Sequence, residues 1–384
     1  MTPRSEERAR SQFADRPMLV FWEMTKACQL ACFHCRANAQ CESGPDELST
    51  QEGRALIDEL TAAGRPRPIL ILTGGDCLMR DDIIELAHYA KQQSVPVAIA
   101  PSVTPRLTTE TLLRLRGEDV KSASLSLDGA TSEAHDRVRG IPGHFTSTLR
   151  AISQLKDLGF TVQINTTVLP SNVHQLADVA SLLHEYGVDV WEVFFLITTG
   201  RGSDVPATSA QENEDVCHFL VDASRYGFTV RTVEAPFFRR VAYERRELAE
   251  IPPAGTGALY DALRGRLVQL LGPSDAPIRA PSAATRDGKG IIFVGANGTV
   301  TPSGFLPLAL GNVREQSLLT TYRENELLRS IRAADFRGTC GSCSYANLCG
   351  GSRSRAYAHG DGPLGSDPGC LLVANDAHEA QVVA

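Results

Sequence analysis

The chain has 384 residues, 42% hydrophobic and 22% charged, a globular composition that excludes a disordered chain and a small stapled module. Its 38 basic and 45 acidic residues leave a net charge of −7 with no long basic run, which argues against nucleic-acid and anionic-membrane partners. Ten cysteines are too few for a disulfide scaffold, no run approaches the ~18 apolar residues of a membrane span, and the polar start MTPRSEERARSQFADRP lacks a signal-peptide pattern. The expectation is a cytoplasmic protein in a reducing compartment.

After a polar leader over residues 1–17, short apolar runs at 19–24, 69–73, 95–100, 122–127, 162–168 and 191–196 predict strands. Between them, 50–63, 81–92, 109–115, 146–158 and 172–186 carry apolar residues at three- and four-residue spacing, which predicts helices. Ser49 or Thr50, Asp81, and Ser171 or Asn172 stand where helix caps belong. Six βα units over residues 18–233 fit a partial barrel or an open doubly wound sheet. A dinucleotide-binding sheet lacks its G-x-G-x-x-G after the first strand, where cysteine follows instead.

From 234 to 289 the composition shifts to Pro, Gly, Ala and Arg, a bridging segment with one or two helices. IIFVGANGTVTPSG then reads as a β-hairpin turning at Asn297 and Gly298. A helix over 318–333 leads into a second group of cysteines, so residues 290–384 are expected to form a small C-terminal α+β domain.

Cys28, Cys32 and Cys35 form C-x3-C-x2-C in a loop directly after the first strand. Three thiolates so spaced can hold three irons of a cubane and leave the fourth open for chemistry. Zinc is the structural rival, but it wants four closed ligands, and His34 lies between two of the cysteines where it cannot easily fold back to join them.

This motif resembles the signature of the radical S-adenosylmethionine (SAM) enzymes, and the likeness continues along the chain. It implies an α/β fold, a partial (β/α)6 TIM-like barrel carrying a small iron-sulfur domain. Thr73-Gly74-Gly75-Asp76 resembles the family segment that holds the SAM amino group, with glycines permitting close backbone approach and Asp76 as anionic acceptor. The resemblance implies SAM carboxylate and ribose contacts at Ser126, Arg139 and Asn165, and an adenine contact near His34. It further implies that one electron, delivered by a reducing partner such as flavodoxin or ferredoxin, cleaves SAM to a 5′-deoxyadenosyl radical. That radical takes hydrogen from an unactivated carbon of a small-molecule substrate.

Cys340, Cys343, Cys349 and Cys370 can close an auxiliary 4Fe-4S cluster completely, zinc being the alternative for the same four thiolates. Their spacing, with Pro302 to Leu308 and Gly311 to Arg314 before them, resembles SPASM/Twitch extensions, in the flavour of haem and haem-d1 biosynthesis enzymes. Ser303 stands where several relatives have cysteine, so one auxiliary cluster is expected.

Cys41, Cys77 and Cys217 belong to neither set. Cys77 follows Gly74-Gly75-Asp76 and is expected near the mouth of the barrel. A thiol there, or less directly at Cys217, would return hydrogen to a substrate radical, as radical SAM epimerases do. The favoured expectation is therefore epimerisation of a sugar or alcohol carbon in a specialised metabolite. Its alternatives are oxidative decarboxylation or dehydrogenation of a tetrapyrrole side chain, maturation of a ribosomally made peptide, and a zinc-stabilised binding protein without catalysis.

Overall fold

The computed structural model describes residues 13–247, 255–281 and 285–383, so most of the expected leader and part of the expected bridging segment lie outside the described residues. Along the chain run strands β1 (Leu19–Glu23), β2 (Ile69–Thr73), β3 (Val97–Ile99), β4 (Ser122–Ser126), β5 (Thr161–Val168), β6 (Val190–Phe195), β7 (Thr229–Val233), β8 (Arg286–Asp287), β9 (Gly290–Val294), β10 (Thr299–Thr301) and β11 (Gly311–Asn312). The chain divides into two compact units that interleave in sequence: Met1–Leu125, Leu149–Val162 and Thr285–Ala333 form one, and Ser126–Thr148, Gln163–Ala284 and Ala334–Ala384 the other.

In the first unit β1 to β4 are neighbours in chain order, parallel wherever their register is given, and successive strands are joined by helices Thr50–Ala62, Ile83–Gln92 and Thr109–Gly117. Parallel strands need such crossovers because the chain must return to the same end of the sheet. Alternation decides the faces: Val20 and Trp22 of β1 and Leu70 and Leu72 of β2 are buried, as are Leu56, Ile57, Leu60, Leu86 and Ala90 of the helices. Ser49 caps the first helix in a reciprocal capping box with Glu52, as its sequence predicts. At the next helix Asp82, not Asp81, precedes Ile83, and its carboxylate is taken by Arg80 (2.8 Å) and Thr50 (2.8 Å) rather than by the helix.

The hairpin of β9 and β10 turns at Asn297 and Gly298, where Gly298 has φ 83° and the Thr299 amide donates to Asn297 Oδ1 at 3.2 Å. β9 pairs in parallel with β1, Leu19 opposite Ile291, so the unit's strand order is β11-β10-β9-β1-β2-β3-β4. The helix expected over 318–333 is two, Leu318–Glu324 and Glu326–Ala333, because Asn325 is extended and its side chain accepts from the Leu328 amide at 3.3 Å.

In the second unit β5, β6 and β7 are parallel, with Asn165 opposite Glu192 and Glu192 opposite Arg231. Ile164, Thr166, Trp191, Val193 and Val230 form the buried face. Trp191 donates its indole N–H to Thr166 Oγ1 at 2.9 Å and packs edge-on against Phe219 and Phe228. Helices Phe238–Glu247 and Ala258–Leu271 occupy the bridging segment. The unit ends in the cysteine-rich segment and helix Leu371–Val383. No helix among the described residues is long and apolar enough to cross a membrane.

Candidate functional site

The three-cysteine loop is closed by backbone at its neck. The Cys28 amide donates to the Gln40 carbonyl at 2.7 Å and the Gln40 amide to the Lys26 carbonyl at 2.9 Å. Inside this closure Cys28 and Cys32 are each 8% exposed and Cys35 is half-buried. Cys28 Sγ accepts from the Leu30 amide at 3.4 Å and lies 3.6 Å from Ser102 Oγ. Burial pushes the Cys28 thiol up, with the charges of Asp76 and Cys32 adding to it. A bound cationic cluster would reverse that balance and hold the thiolate. Two arginines brace the loop. Arg80 donates to the carbonyls of Met24 (3.1 Å) and Leu48 (2.6 Å), gripping both approaches. Arg36, directly after Cys35, stacks 4.7 Å from the Phe293 ring and donates to the Gly304 carbonyl (3.2 Å) and Glu23 (3.3 Å).

Gly74 and Gly75 lie against this same loop. A Cβ on Gly74 would stand 2.5 Å from the Thr25 carbonyl oxygen, and one on Gly75 would stand 2.4 Å from that of Ala27. The glycines thus let the end of β2 hydrogen-bond the cysteine loop, through Gly75 N to Thr25 O (2.8 Å) and Asp76 N to Ala27 O (2.7 Å). Asp76 is fully buried, and its carboxylate accepts from Leu78 N (3.1 Å), Ser102 N (3.3 Å) and Thr104 Oγ1 (2.8 Å). Burial raises its pKa against those donors. Asp76 therefore ties the strand ends of β2 and β3 together, a role its motif does not reveal. Cys77 is 0% exposed and opens a short 3-10 turn, its thiol pushed well up by burial. The expected hydrogen donor is thus covered by protein on every side in this structure.

In the second unit Arg139 is buried and ion-paired with the fully buried Asp128, which follows Ser126. Asp128 also accepts from the Thr167 amide at 2.7 Å, and Asn172 donates to its carbonyl at 2.9 Å. Ser126 ends β4, half-buried. Asn165 on β5 is half-buried too and accepts from Gln163 at 2.9 Å. Behind Asp128 lies a buried histidine pair: the Asp128 amide donates to His135 Nδ1 (3.1 Å), which places the His135 proton on Nε2, 2.8 Å from His144 Nδ1. In the first unit His34 packs edge-on to Phe33.

Cys340, Cys343, Cys349 and Cys370 line one cavity together with Arg240, Thr339, Tyr345, Ala346, Gly350 and Gly351. Small residues leave room between the thiols, and all four chain segments are tied down. Fully buried Asp367 accepts from Ser352 N (2.7 Å), Gly369 N (3.0 Å) and Arg355 (3.0 Å), and donates its own amide to Cys340 Sγ (3.4 Å). Glu234 at the end of β7 receives Ser352 Oγ and Ser354 Oγ. Backbone amides of Tyr345 and Gly351 donate to Cys343 and Cys349, each at 3.4 Å. Burial pushes the Cys349 thiol up to about 11 and the Cys370 thiol up to about 12, the latter raised further by Cys349. Four thiols aimed at one apolar space, with amides donating to the sulfurs, suit a cubane. No three His, Cys, Asp or Glu among the described residues are gathered around a single-ion position; in a cubane each thiolate takes its own iron. Cys217 is fully buried in helix Ala210–Ala223, its thiol pushed well up by burial and then by the Glu214 charge. Cys41 is exposed and outside both sets.

Sequence reasoning did not single out Arg36, Arg80, Asp128, Glu234 or Asp367, because their roles come from partners that the fold brings to them, from Gly304 for Arg36 to Ser352 for Glu234.

A family model described as the Radical SAM superfamily matches residues 22–183. The AdoMet-dependent heme synthase of Oleidesulfovibrio alaskensis is 35% identical over 357 residues, covering 92% of this chain and 86% of that one. The mycofactocin maturase MftC of Mycobacterium tuberculosis is 30% identical over 363 residues, covering 93% and 83%. Among solved structures, Streptococcus suis SuiB bound to precursor peptide SuiA aligns with a TM-score of 0.65 at 16% identity, over 96% of this chain and 79% of that chain, a likeness of fold.

Proposed function

The chain belongs to the radical SAM superfamily, with SAM, a SAM-binding 4Fe-4S cluster and an auxiliary 4Fe-4S cluster as its cofactors, and from this premise we propose that it oxidatively decarboxylates a carboxylated side chain of a tetrapyrrole. When bound, SAM and the first cluster supply a 5′-deoxyadenosyl radical that removes one hydrogen atom from carbon. Cys28, Cys32 and Cys35 hold that cluster, in a loop whose backbone is fixed by Gly74, Gly75 and Asp76. In the second unit Asp128 holds the Arg139 guanidinium in a buried ion pair. Cys340, Cys343, Cys349 and Cys370 hold the second cluster.

The balance of the reaction explains the second site. A propionate side chain that loses one hydrogen atom at its β-carbon and then carbon dioxide becomes a vinyl group and releases one electron. A cluster held by Cys340, Cys343, Cys349 and Cys370 would supply an acceptor for that electron, with a one-electron carrier of the flavodoxin or ferredoxin class as its final destination. Epimerisation needs instead a thiol that returns hydrogen, and both Cys77 and Cys217 are fully buried. The observation that carries the reading is the 35% identity to a heme synthase over 92% of the chain.

The test incubates reconstituted protein with SAM, a one-electron reductant and a porphyrin bearing propionate side chains. Vinyl products with matching 5′-deoxyadenosine are expected; deoxyadenosine formation stimulated by a peptide and not by the porphyrin would overturn the reading. Peptide maturation is the second reading, favoured by the 30% identity to MftC.

A further inference from the structure

We propose that Arg353 is the counter-ion of the auxiliary cluster and sets its reduction potential, an inference that rests on the four cysteines holding that cluster. Arg353 is 1% exposed. Its Nε donates to the Gly351 carbonyl (3.2 Å), its Nη1 to those of Pro363 (3.3 Å) and Gly365 (2.6 Å), and its Nη2 reaches Cys340 Sγ at 3.8 Å. The guanidinium also lies over the Phe336 ring, 4.4 Å from its centre.

These partners among the described residues are neutral carbonyls, an aromatic face and one sulfur. The neighbouring buried arginines differ: Arg355 has Asp367 at 3.0 Å, and Arg240 has Glu214 at 2.5 Å. A buried guanidinium without a carboxylate is unfavourable unless some other group supplies negative charge. Cys340, once it is a thiolate ligand, is the contact that does so. The backbone is shaped for this reach, since Gly351 adopts φ 63° and a Cβ there would stand 2.5 Å from Arg353 Nη2 and 3.0 Å from Cys340 Sγ. Cys340 takes a second donor, the Asp367 amide.

Hydrogen bonds to cluster sulfurs and nearby positive charge favour the more negative, reduced state and so raise the potential. Arg353 is on this account a positioning and tuning residue, without contact to substrate.

The experiment uses the Cys28/Cys32/Cys35→Ala variant of the full chain, in which the auxiliary cluster is the one signal left, and follows its reduction by redox titration with electron paramagnetic resonance. Arg353→Gln should shift the midpoint to lower potential with iron content retained, and Arg353→Lys, which keeps the charge without the fork, should fall between. Unmoved midpoints in loaded Arg353→Gln and Arg353→Lys proteins overturn the proposal. If Arg353→Gln does not load, the Arg353→Lys shift decides alone. Absence of iron from the parent triple variant overturns the cluster assignment itself and the proposal with it.

Discussion

Gly75 lies so close to Ala27 that a Cβ on it would stand 2.4 Å from the Ala27 carbonyl oxygen, while the Asp76 amide next door donates to that same oxygen at 2.7 Å. The glycine pair therefore acts on the cysteine loop through backbone before it acts on any ligand. Gly75→Ala should push the loop away and reduce iron at the three-cysteine site, with the four-cysteine site still loaded. Iron counts on reconstituted protein check this, and full loading of both sites would contradict it.

Arg36, the residue after Cys35, joins the cysteine loop to Phe293, Gly304 and Glu23 in one stacked, forked contact. Arg36→Ala should lower stability by about 1–3 kcal/mol, from the lost stacking and the charged hydrogen bonds. Arg36→Lys should recover little, because an ammonium lacks the planar fork. Denaturant midpoints of the three proteins test the ranking.

Asp367 gathers Arg355 and the amides of Ser352 and Gly369 while its own amide meets Cys340. Asp367→Ala leaves a buried guanidinium unpaired and should cost about 3–5 kcal/mol. Iron at the four-cysteine site should fall with it, measured in the Cys28/Cys32/Cys35→Ala background.

His135 carries a pH signature. Burial, with the Arg139 charge adding, lowers its pKa from 6.5 to about 3. Between those values the unfolded chain binds this proton and the folded one does not, so stability rises with pH there. The contribution is intact above pH 6.5 and is lost as pH falls toward 3, at no more than about 1.4 kcal/mol per pH unit. His135→Gln should lose less stability than the parent between pH 6 and pH 4 in urea titrations; equal losses would contradict the assignment.

Strands β1 to β6 were legible because apolar residues recur there within short bounded runs between helical segments. β7, Thr-Val-Arg-Thr-Val, was not, since its Arg231 and two threonines present too little apolar alternation. The hairpin at Asn297 and Gly298 was legible from its turn dipeptide, but its parallel pairing with β1 was not, because residues 19 and 291 carry no local mark of each other. The cysteine spacings named both candidate cluster sites. The sealing of Cys77 was invisible, because burial is set by the packing around its turn and not by its place after Gly74-Gly75-Asp76.

The central claim is that two cysteine sets hold two clusters with separate tasks. Anaerobic reconstitution with iron and sulfide counts, followed by reductant and SAM, tests it on the parent and on Cys28/Cys32/Cys35→Ala. The account predicts about eight irons in the parent and about four in the variant, with 5′-deoxyadenosine from the parent alone. Zinc in place of iron, or no SAM cleavage by the loaded parent under any reducing condition, would contradict it.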